Sequence, residues 1–531
     1  MDCVFWPRGT DRERERERES ESEMAGRAAA KVPIARVGQA LSRVGTPALV
    51  LDLDAFEQNA RSLVHQMQVF EKRGPNGKTV ALRPHAKAHK CSALALRQMD
   101  LLGSAAVGLG CQTLAEAEIL ASAGEQRDSP VEKNPLLPPS SQVVSHTQEP
   151  DAEAIARAGR GWSGVRSPSS ASPTGPAADP SPASRRARHS QPLTVVLEGN
   201  SWIVWGACST LCVLHMGRCL PSVSIDTDSY LPFSLSDVPI AGLKDLTITN
   251  EVVPIDKVQR LAKLAKTEGL SLGVCVDSAV NVRQISKELQ AVGATIKVLV
   301  ECNVGQNRCG VETAEEAVEL AKVVKAFDGV LDFDGYQAYH GAIQHVRGEA
   351  ERSAECRKVA EKVVALNAAF DTAGIKCNTV TGGGTGTFLF DAGSGLYTEV
   401  QPGSYFFGDV DYGKNDWGRS KGWTQSLLVA ATVISRNPSR RTVVVDAGLK
   451  AVDLGSGPPL VLGEEQWSFA NGGDEHGVVT VPEGDLPEVG ERMYLIPSHV
   501  DPTFNMHRQL ICVRGEVVED VLEIDASGPG F

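Results

Sequence analysis

The sequence lacks the cysteine spacing of a zinc or redox motif: its 12 cysteines are scattered, and no two form a Cys-x-x-Cys pair. No secretory leader is read at the N-terminus either, so the expectation is reduced thiols and a cytoplasmic protein. Positive charge is also short. A net charge of −13 argues against a general binder of nucleic acid or of anionic membranes. No apolar run reaches the roughly 18–20 residues that span a bilayer, and the longest candidate, Ser201 to Leu214, stops short of it. What is present is an ordinary globular composition, 42% hydrophobic and 22% charged over 531 residues. That is enough chain for one large core and a second, smaller one.

Residues 1–40 carry an alternating Arg/Glu run from Arg12 to Glu23. It has nothing to bury and reads as a disordered tail, its acidic residues counting against a transit peptide. From Thr46, apolar stretches rich in β-branched residues alternate with amphipathic helical stretches, the pattern of a βα-repeating fold. Strands are expected at Val80–Arg83, Ala106–Gly110, Leu246–Thr249, Leu272–Val276, Ile296–Val300, Leu331–Tyr336 and Asn378–Val380. Seven or eight such units favour a closed α/β barrel, (β/α)8, over an open sheet, and residues 41–422 are assigned to it. After Trp423 helical periodicity vanishes. Short strands take over at Leu427–Ile434, Thr442–Asp446, Arg492–Ile496 and Gln509–Arg514, so 423–531 reads as a separate C-terminal β domain. Residues 125–242 break the pattern, being rich in Pro and Ser and without sustained periodicity. Joining Gly124 to Leu243 would give a continuous helix, turn and strand. The block therefore reads as a low-complexity insertion or an unspliced intron, with a genuine extra domain as the alternative.

The strongest local signal is Arg83-Pro84-His85-Ala86-Lys87-Ala88-His89-Lys90, just beyond the first barrel strand. Active sites of such barrels lie at the C-terminal ends of strands. A lysine desolvated there has a lowered pKa, and its neutral amine can form a Schiff base. Taken alone, a His/Lys-rich loop is more often a solvated surface or an anion-binding loop. Thr381-Gly382-Gly383-Gly384-Thr385-Gly386-Thr387 follows a late strand. Its glycines admit close approach, and its N–H groups and hydroxyls can cradle a phosphate. Set against a first-strand lysine, the loop points to a phosphorylated aldehyde cofactor. Arg308, at the end of the fifth expected strand, suits a phenolate oxygen or an ordinary salt bridge. Tyr339 and His340 could pack on a planar ring. In the β domain, His499 and Asp501 stand two apart on extended chain and so project to one side, as two metal ligands must.

Together these segments resemble the fold-type III pyridoxal-phosphate family of D-threonine aldolases and eukaryotic D-serine dehydratases, relatives of alanine racemase. The resemblance runs from Thr46 to Ile524 apart from 125–242. It includes Thr46–Asp52, Cys111-Gln112-Thr113 with Glu116-Ala117-Glu118, Thr249-Asn250-Glu251-Val252, Gln401-Pro402-Gly403-Ser404-Tyr405 and Asp409. It implies an alanine-racemase-like barrel with a C-terminal β domain, pyridoxal 5′-phosphate, a divalent metal (Mn, Mg or Zn), a small D-amino acid substrate and a homodimer. Lys87 would be the Schiff-base lysine. Gly383, Gly384, Thr385, Gly403 and Ser404 would hold the phosphate, with Tyr405 near the cofactor. Arg308 matches the arginine at the phenolic oxygen. Gln401 stands where the racemases put an arginine beside the pyridine nitrogen, a departure that leaves a neutral partner there. Tyr339 or His340 matches the ring-stacking position. His499 and Asp501 match the metal pair, with His89 and His85 as acid/base candidates.

The implied reaction cleaves a D-β-hydroxy amino acid to glycine and an aldehyde. The metal lowers the pKa of the hydroxyl, His89 or a metal-bound water takes its proton, and the cofactor takes up the carbanion. Two other readings stay open: a D-serine dehydratase giving pyruvate, and a non-catalytic pyridoxal-phosphate carrier. The β domain with His499 and Asp501 counts against the carrier. Asp501 favours the aldolase, because the dehydratase branch typically has cysteine at that position and a carboxylate suits manganese or magnesium.

Overall fold

The computed structural model describes residues 34–123, 243–418 and 423–528, with three short strands between them in sequence. The chain divides into two compact units, Met1–His146 with Ile240–Phe531, and Thr147–Pro239.

The first unit holds two sheets. One is an eight-stranded parallel sheet, in chain order Ala81–Leu82, Leu109–Cys111, Asp245–Glu251, Ser271–Val276, Ile296–Glu301, Leu331–Ala338, Thr379–Gly382 and Glu399–Val400. Parallel bridges Leu82↔Ala106 and His85↔Gly110 join its first strand to the segment of its second, closing the ring. The inner strand Ser271–Val276 is a near-continuous apolar run, as strands covered on both faces are, and is buried over its last five residues. Helices of ordinary construction cover the sheet. Ala314–Lys325 starts at a Thr313/Glu316 capping box, ends on Lys322 and Lys325, and buries Ala317, Leu320, Ala321 and Val324.

The ring is thinnest where it closes. Its first and last strands have two residues each, and the last was not among the strands expected from the sequence. A buried ion pair holds this seam. Arg83 Nε lies 2.7 Å from Glu399, and Arg83 Nη1 lies 2.6 Å from Asp245, which tethers three strands through one guanidinium.

The second sheet has nine strands. Leu427–Asn437, Thr442–Val445, Arg492–Ile496 and Gln509–Arg514 form where expected. Ala48–Asp52, which the sequence reading put in the barrel segment 41–422, lies in this sheet instead. It runs antiparallel to Leu427–Asn437 and parallel to Gln509–Arg514. Its five residues are all buried, a pattern equally suited to either sheet. Leu49 and Leu51 share a core with Phe56 and Leu63 of the helix Leu53–Gln68 and with Leu427, Val429 and Leu510. Of the expected tail 1–40, residues 1–33 lie outside the described residues. The last few are ordered: Gly38 N–H donates to Val518, and Leu41 N–H just beyond donates to Glu516.

Most of 125–242 also lies outside the described residues. Within it, Val195–Glu198, Ser201–Val204 and Cys212–His215 form a three-stranded antiparallel sheet, so the block is not without secondary structure. On its flanks, Ala123 and Leu243 are buried in one and the same core cluster. No helix among the described residues is long and apolar enough to cross a membrane.

Two tests follow from this architecture. Breaking a buried ion pair leaves an uncompensated charge, so Glu399→Ala should cost about 3–5 kcal/mol in denaturant unfolding. A chain joining Gly124 directly to Leu243 should keep the helical circular-dichroism signal and the thermal midpoint. A collapse of either signal would make the block 125–242 a structural requirement.

Candidate active site

The C-terminal ends of the barrel strands and the edge of the second sheet enclose a cavity. Its wall brings together His85, Lys87, Arg308, Tyr339, Gly384, Thr385, Gln401, Gly403, Ser404, His499 and Asp501, drawn from six separate segments of the sequence. Gly383, Tyr405 and His89 are not on that wall.

Lys87 sits on a single 3-10 turn, Ala86–Ala88, whose N-cap His85 accepts the Lys87 N–H through Nδ1 at 3.3 Å. His85 Nε2 lies 2.8 Å from Thr249 Oγ1, and the Thr249 hydroxyl donates to Cys111 O. The ring therefore carries its proton on Nε2. Burial, with the charges of Lys87 and Lys90, holds its pKa well below the usual histidine range. The two lysines of the motif differ sharply. Lys90 Nζ is engaged with Lys87 O at 3.0 Å and Glu116 Oε1 at 3.4 Å, whereas Lys87 Nζ has no hydrogen-bond partner among the described residues and faces the cavity. His89 is fully buried behind the turn, its Nδ1 accepting from Cys91 N–H and its Nε2 directed at Gln98. Burial brings it down to about 4, so it is a neutral core residue that braces the lysine turn.

The glycine loop is pinned from below. Gly383 has φ +67°, and a Cβ there would lie 2.8 Å from the buried Asp391 carboxylate; a Cβ on Gly386 would strike the Gln344 carbonyl. Thr387 Oγ1 donates to Asp391 and accepts from Gln344. Thr385 Oγ1 accepts the Tyr405 N–H at 3.1 Å, which ties this loop to Gly403–Tyr405. The Tyr405 side chain itself points away, its hydroxyl bonded to Ser62 and Gln66. The N–H groups of Thr385, Gly403 and Ser404 have no protein acceptor among the described residues. Such a cradle fits a phosphate. Arg308 projects from a loop organised by Asn303, whose Oδ1 accepts from Gly305 and Asn307 N–H. Tyr339 reaches the wall, while His340 lies against Gly305.

His499 Nδ1 is 3.3 Å from Asp409 Oδ2, and Asp409 is fully buried and also accepts Val500 and Tyr412 N–H. That leaves His499 Nε2 for the cavity, the geometry in which a carboxylate orients a metal-binding imidazole. Burial lowers the His499 pKa, but the Asp409 hydrogen bond and the charge of Asp501 outweigh it and set it at about 9. This surplus of negative charge fits a divalent cation. Among the described residues the tightest group of metal-type donors is elsewhere, at Glu251, Asp277 and Cys309 within 4.8 Å.

A D-threonine aldolase of Arthrobacter sp. is 36% identical to this chain over 94% of it and 98% of its own length. The chain belongs to the D-threonine aldolase family. Residues 241–411 match the alanine racemase N-terminal domain and residues 426–513 the putative serine dehydratase domain. A 3-hydroxy-D-aspartate aldolase of Paracoccus denitrificans is 39% identical over 55% of this chain and 75% of its own. The solved D-threonine aldolase from Filomicrobium marinum superposes with a TM-score of 0.67 at 32% identity, covering 94% of this chain and 100% of that one. The D-threonine aldolase family thus carries the expected alanine-racemase-like barrel and C-terminal sheet domain.

The cavity also recruits Gln112, Thr249, Gln337, His345 and Tyr412, to which sequence reasoning gave no role. Gln112 and Thr249 lay inside family-matching segments. Gln337 had no such signal, because its strand Leu331–Ala338 also carries Asp332 and Asp334. His345, in the short turn Ala342–His345, belongs to no motif.

Because Lys87 rather than Lys90 presents a free amine to the cavity, borohydride reduction of protein loaded with pyridoxal phosphate should fix the pyridoxyl group on Lys87. Peptide mapping that found it on Lys90 would overturn this assignment.

Proposed function

We propose that this protein is a pyridoxal-phosphate- and divalent-metal-dependent D-threonine aldolase, cleaving D-β-hydroxy amino acids to glycine and an aldehyde. The observation that carries the reading is the convergence, on one cavity, of the unpaired Lys87 amine, a cradle of open N–H groups, and His499 with Asp501. When bound, the cofactor supplies an electron sink for the breaking Cα–Cβ bond, and the metal lowers the pKa of a hydroxyl. Everything else falls to the chain. Lys87 would bond the cofactor, Thr385, Gly403 and Ser404 would hold its phosphate, and Arg308 would serve its phenolic oxygen. Tyr339 would support its ring, and Gln401 would serve its nitrogen.

The proton of the substrate hydroxyl goes to His345, in place of the buried His89. His345 Nδ1 lies 2.7 Å from Asp411 Oδ2, a close approach but poorly aligned for a hydrogen bond, and its ring packs on Tyr412 at 4.9 Å. Burial lowers its pKa, outweighing Asp411, so it is neutral at pH 7 and able to accept. His85, already donating to Thr249, positions the lysine turn. The eight cysteines among the described residues are all free, in keeping with a cytoplasmic protein. Exposed Val253, Ile255 and Val280 offer an apolar surface for a homodimer.

A dehydratase draws support from the match of 426–513, while Asp501 favours the aldolase. Glycine and acetaldehyde from D-threonine should therefore appear faster than pyruvate from D-serine, and EDTA should abolish both. His345→Gln should lower kcat roughly 10²–10⁴-fold. Asp409→Asn should weaken metal binding roughly 10–100-fold, with the cofactor retained. Dominant pyruvate production would replace the aldolase by the dehydratase. No turnover of either substrate in the metal-loaded protein would leave a carrier.

A further inference from the structure

A layer of polar side chains crosses the floor of the cavity, one from each of the last four barrel strands or their ends. Gln337 pairs in register with Glu301 on one side and Thr381 on the other, and Gln401 follows the eighth strand. All four side chains are buried. Gln337 Nε2 donates to Glu301 Oε2 at 2.6 Å; Gln401 Nε2 donates to Gln337 Oε1 at 3.0 Å and to Thr381 Oγ1 at 2.7 Å.

The direction of this chain is set at its far end. An ionised carboxylate can only accept, so Gln337 turns its NH2 to Glu301 and its carbonyl to Gln401. Gln401 then spends both amide hydrogens on Gln337 and Thr381. No protein donor reaches its Oε1 among the described residues, and this oxygen is what Gln401 offers the cavity. A ring nitrogen brought against it must carry a proton. Without one, two acceptors would face each other in a buried layer, at the cost of a lost hydrogen bond.

Resting on the cofactor reading above, we propose that Glu301 is a positioning residue that acts through Gln337 and Gln401 to keep the ring nitrogen of bound pyridoxal phosphate protonated. Burial and neighbouring charge oppose the ionised form of Glu301, and a positive ring nitrogen works in its favour. Burial, and then the neighbouring Glu251, push the Glu301 carboxyl up to about 8, against the Gln337 hydrogen bond, the Arg308 charge and the Cys275 thiol. A carboxyl poised there is drawn to its ionised form by a positive charge two amides away, and once ionised it favours that charge. Run backwards, with Glu301 protonated and donating to Gln337, the same chain would present the Gln401 NH2 and leave the ring nitrogen bare. The two arrangements differ in where one proton sits, and the amide assignment follows from the hydrogen-bond network.

The test is the 15N resonance of the ring nitrogen in full-length protein loaded with 15N-labelled pyridoxal phosphate near pH 7. The wild-type resonance should stand at the upfield position of a protonated pyridine nitrogen. Glu301→Gln should move it downfield to the unprotonated position, and Glu301→Asp, which keeps the charge, should hold it upfield. Gln337→Leu, which cuts the chain but leaves the carboxyl, should behave as Glu301→Gln and decides the matter should that variant not fold. An unprotonated nitrogen in the wild type, or a protonated one in both Glu301→Gln and Gln337→Leu, overturns the proposal. Failure of the wild type to show the visible band of lysine-bound cofactor would instead overturn the cofactor reading and this inference with it.

Discussion

The lysine-bearing strand has almost no strand to stand on. Ala81–Leu82 contributes two residues to the ring and pairs with another two-residue strand, Glu399–Val400. Ladder hydrogen bonds over so short a length cannot fix the direction of the loop that follows. Arg83 does so: its guanidinium, buried between Glu399 and Asp245, ties the start of the ring to its end and to the third strand. Removing such a charge from water is expensive, and only full pairing makes it tolerable. The site where His85 and Lys87 emerge is thus determined by an electrostatic lock two residues upstream.

From that lock the cavity is assembled by contacts between loops. Thr385 joins the glycine loop to Gly403–Tyr405. Asp409, on the barrel side, reaches into the second sheet domain to hold His499. Ser404 Oγ lies 3.3 Å from Asp501 Oδ1, so the proposed phosphate cradle and the proposed metal pair share a wall. The two halves of the proposed chemistry are therefore coupled mechanically. A shift of Gly403–Tyr405 would be felt by both.

Much of this was legible in the sequence because it is written locally. Strands with continuous apolar runs, such as Leu272–Val276, announce themselves, and so does a lysine directly after a strand. Two kinds of information were not local. The first is the choice of sheet for Ala48–Asp52: five buried residues fit a barrel or a sandwich equally, and only partners nearly 400 residues downstream decide. The second is which of several polar residues in a motif reaches the cavity. His85, Lys87, His89 and Lys90 are equivalent in a string of letters. The 3-10 turn sends His89 into the core and Lys90 to Glu116. Gln337 and His345 carry no motif at all, and only the closed ring brings them to the wall.

The placement of Ala48–Asp52 also imposes an order on biosynthesis. This apolar strand leaves the ribosome early, yet one neighbour lies at 427–437 and the other at 509–514. It has to wait, with both edges unpaired, while the whole barrel is made. Pairings so distant along the chain form slowly, and an open apolar strand edge is a template for association. A nascent chain therefore passes through a long vulnerable interval. His499 and Asp501 join Lys87 on the cavity wall only in its last moments, so an unfinished molecule has no complete cavity.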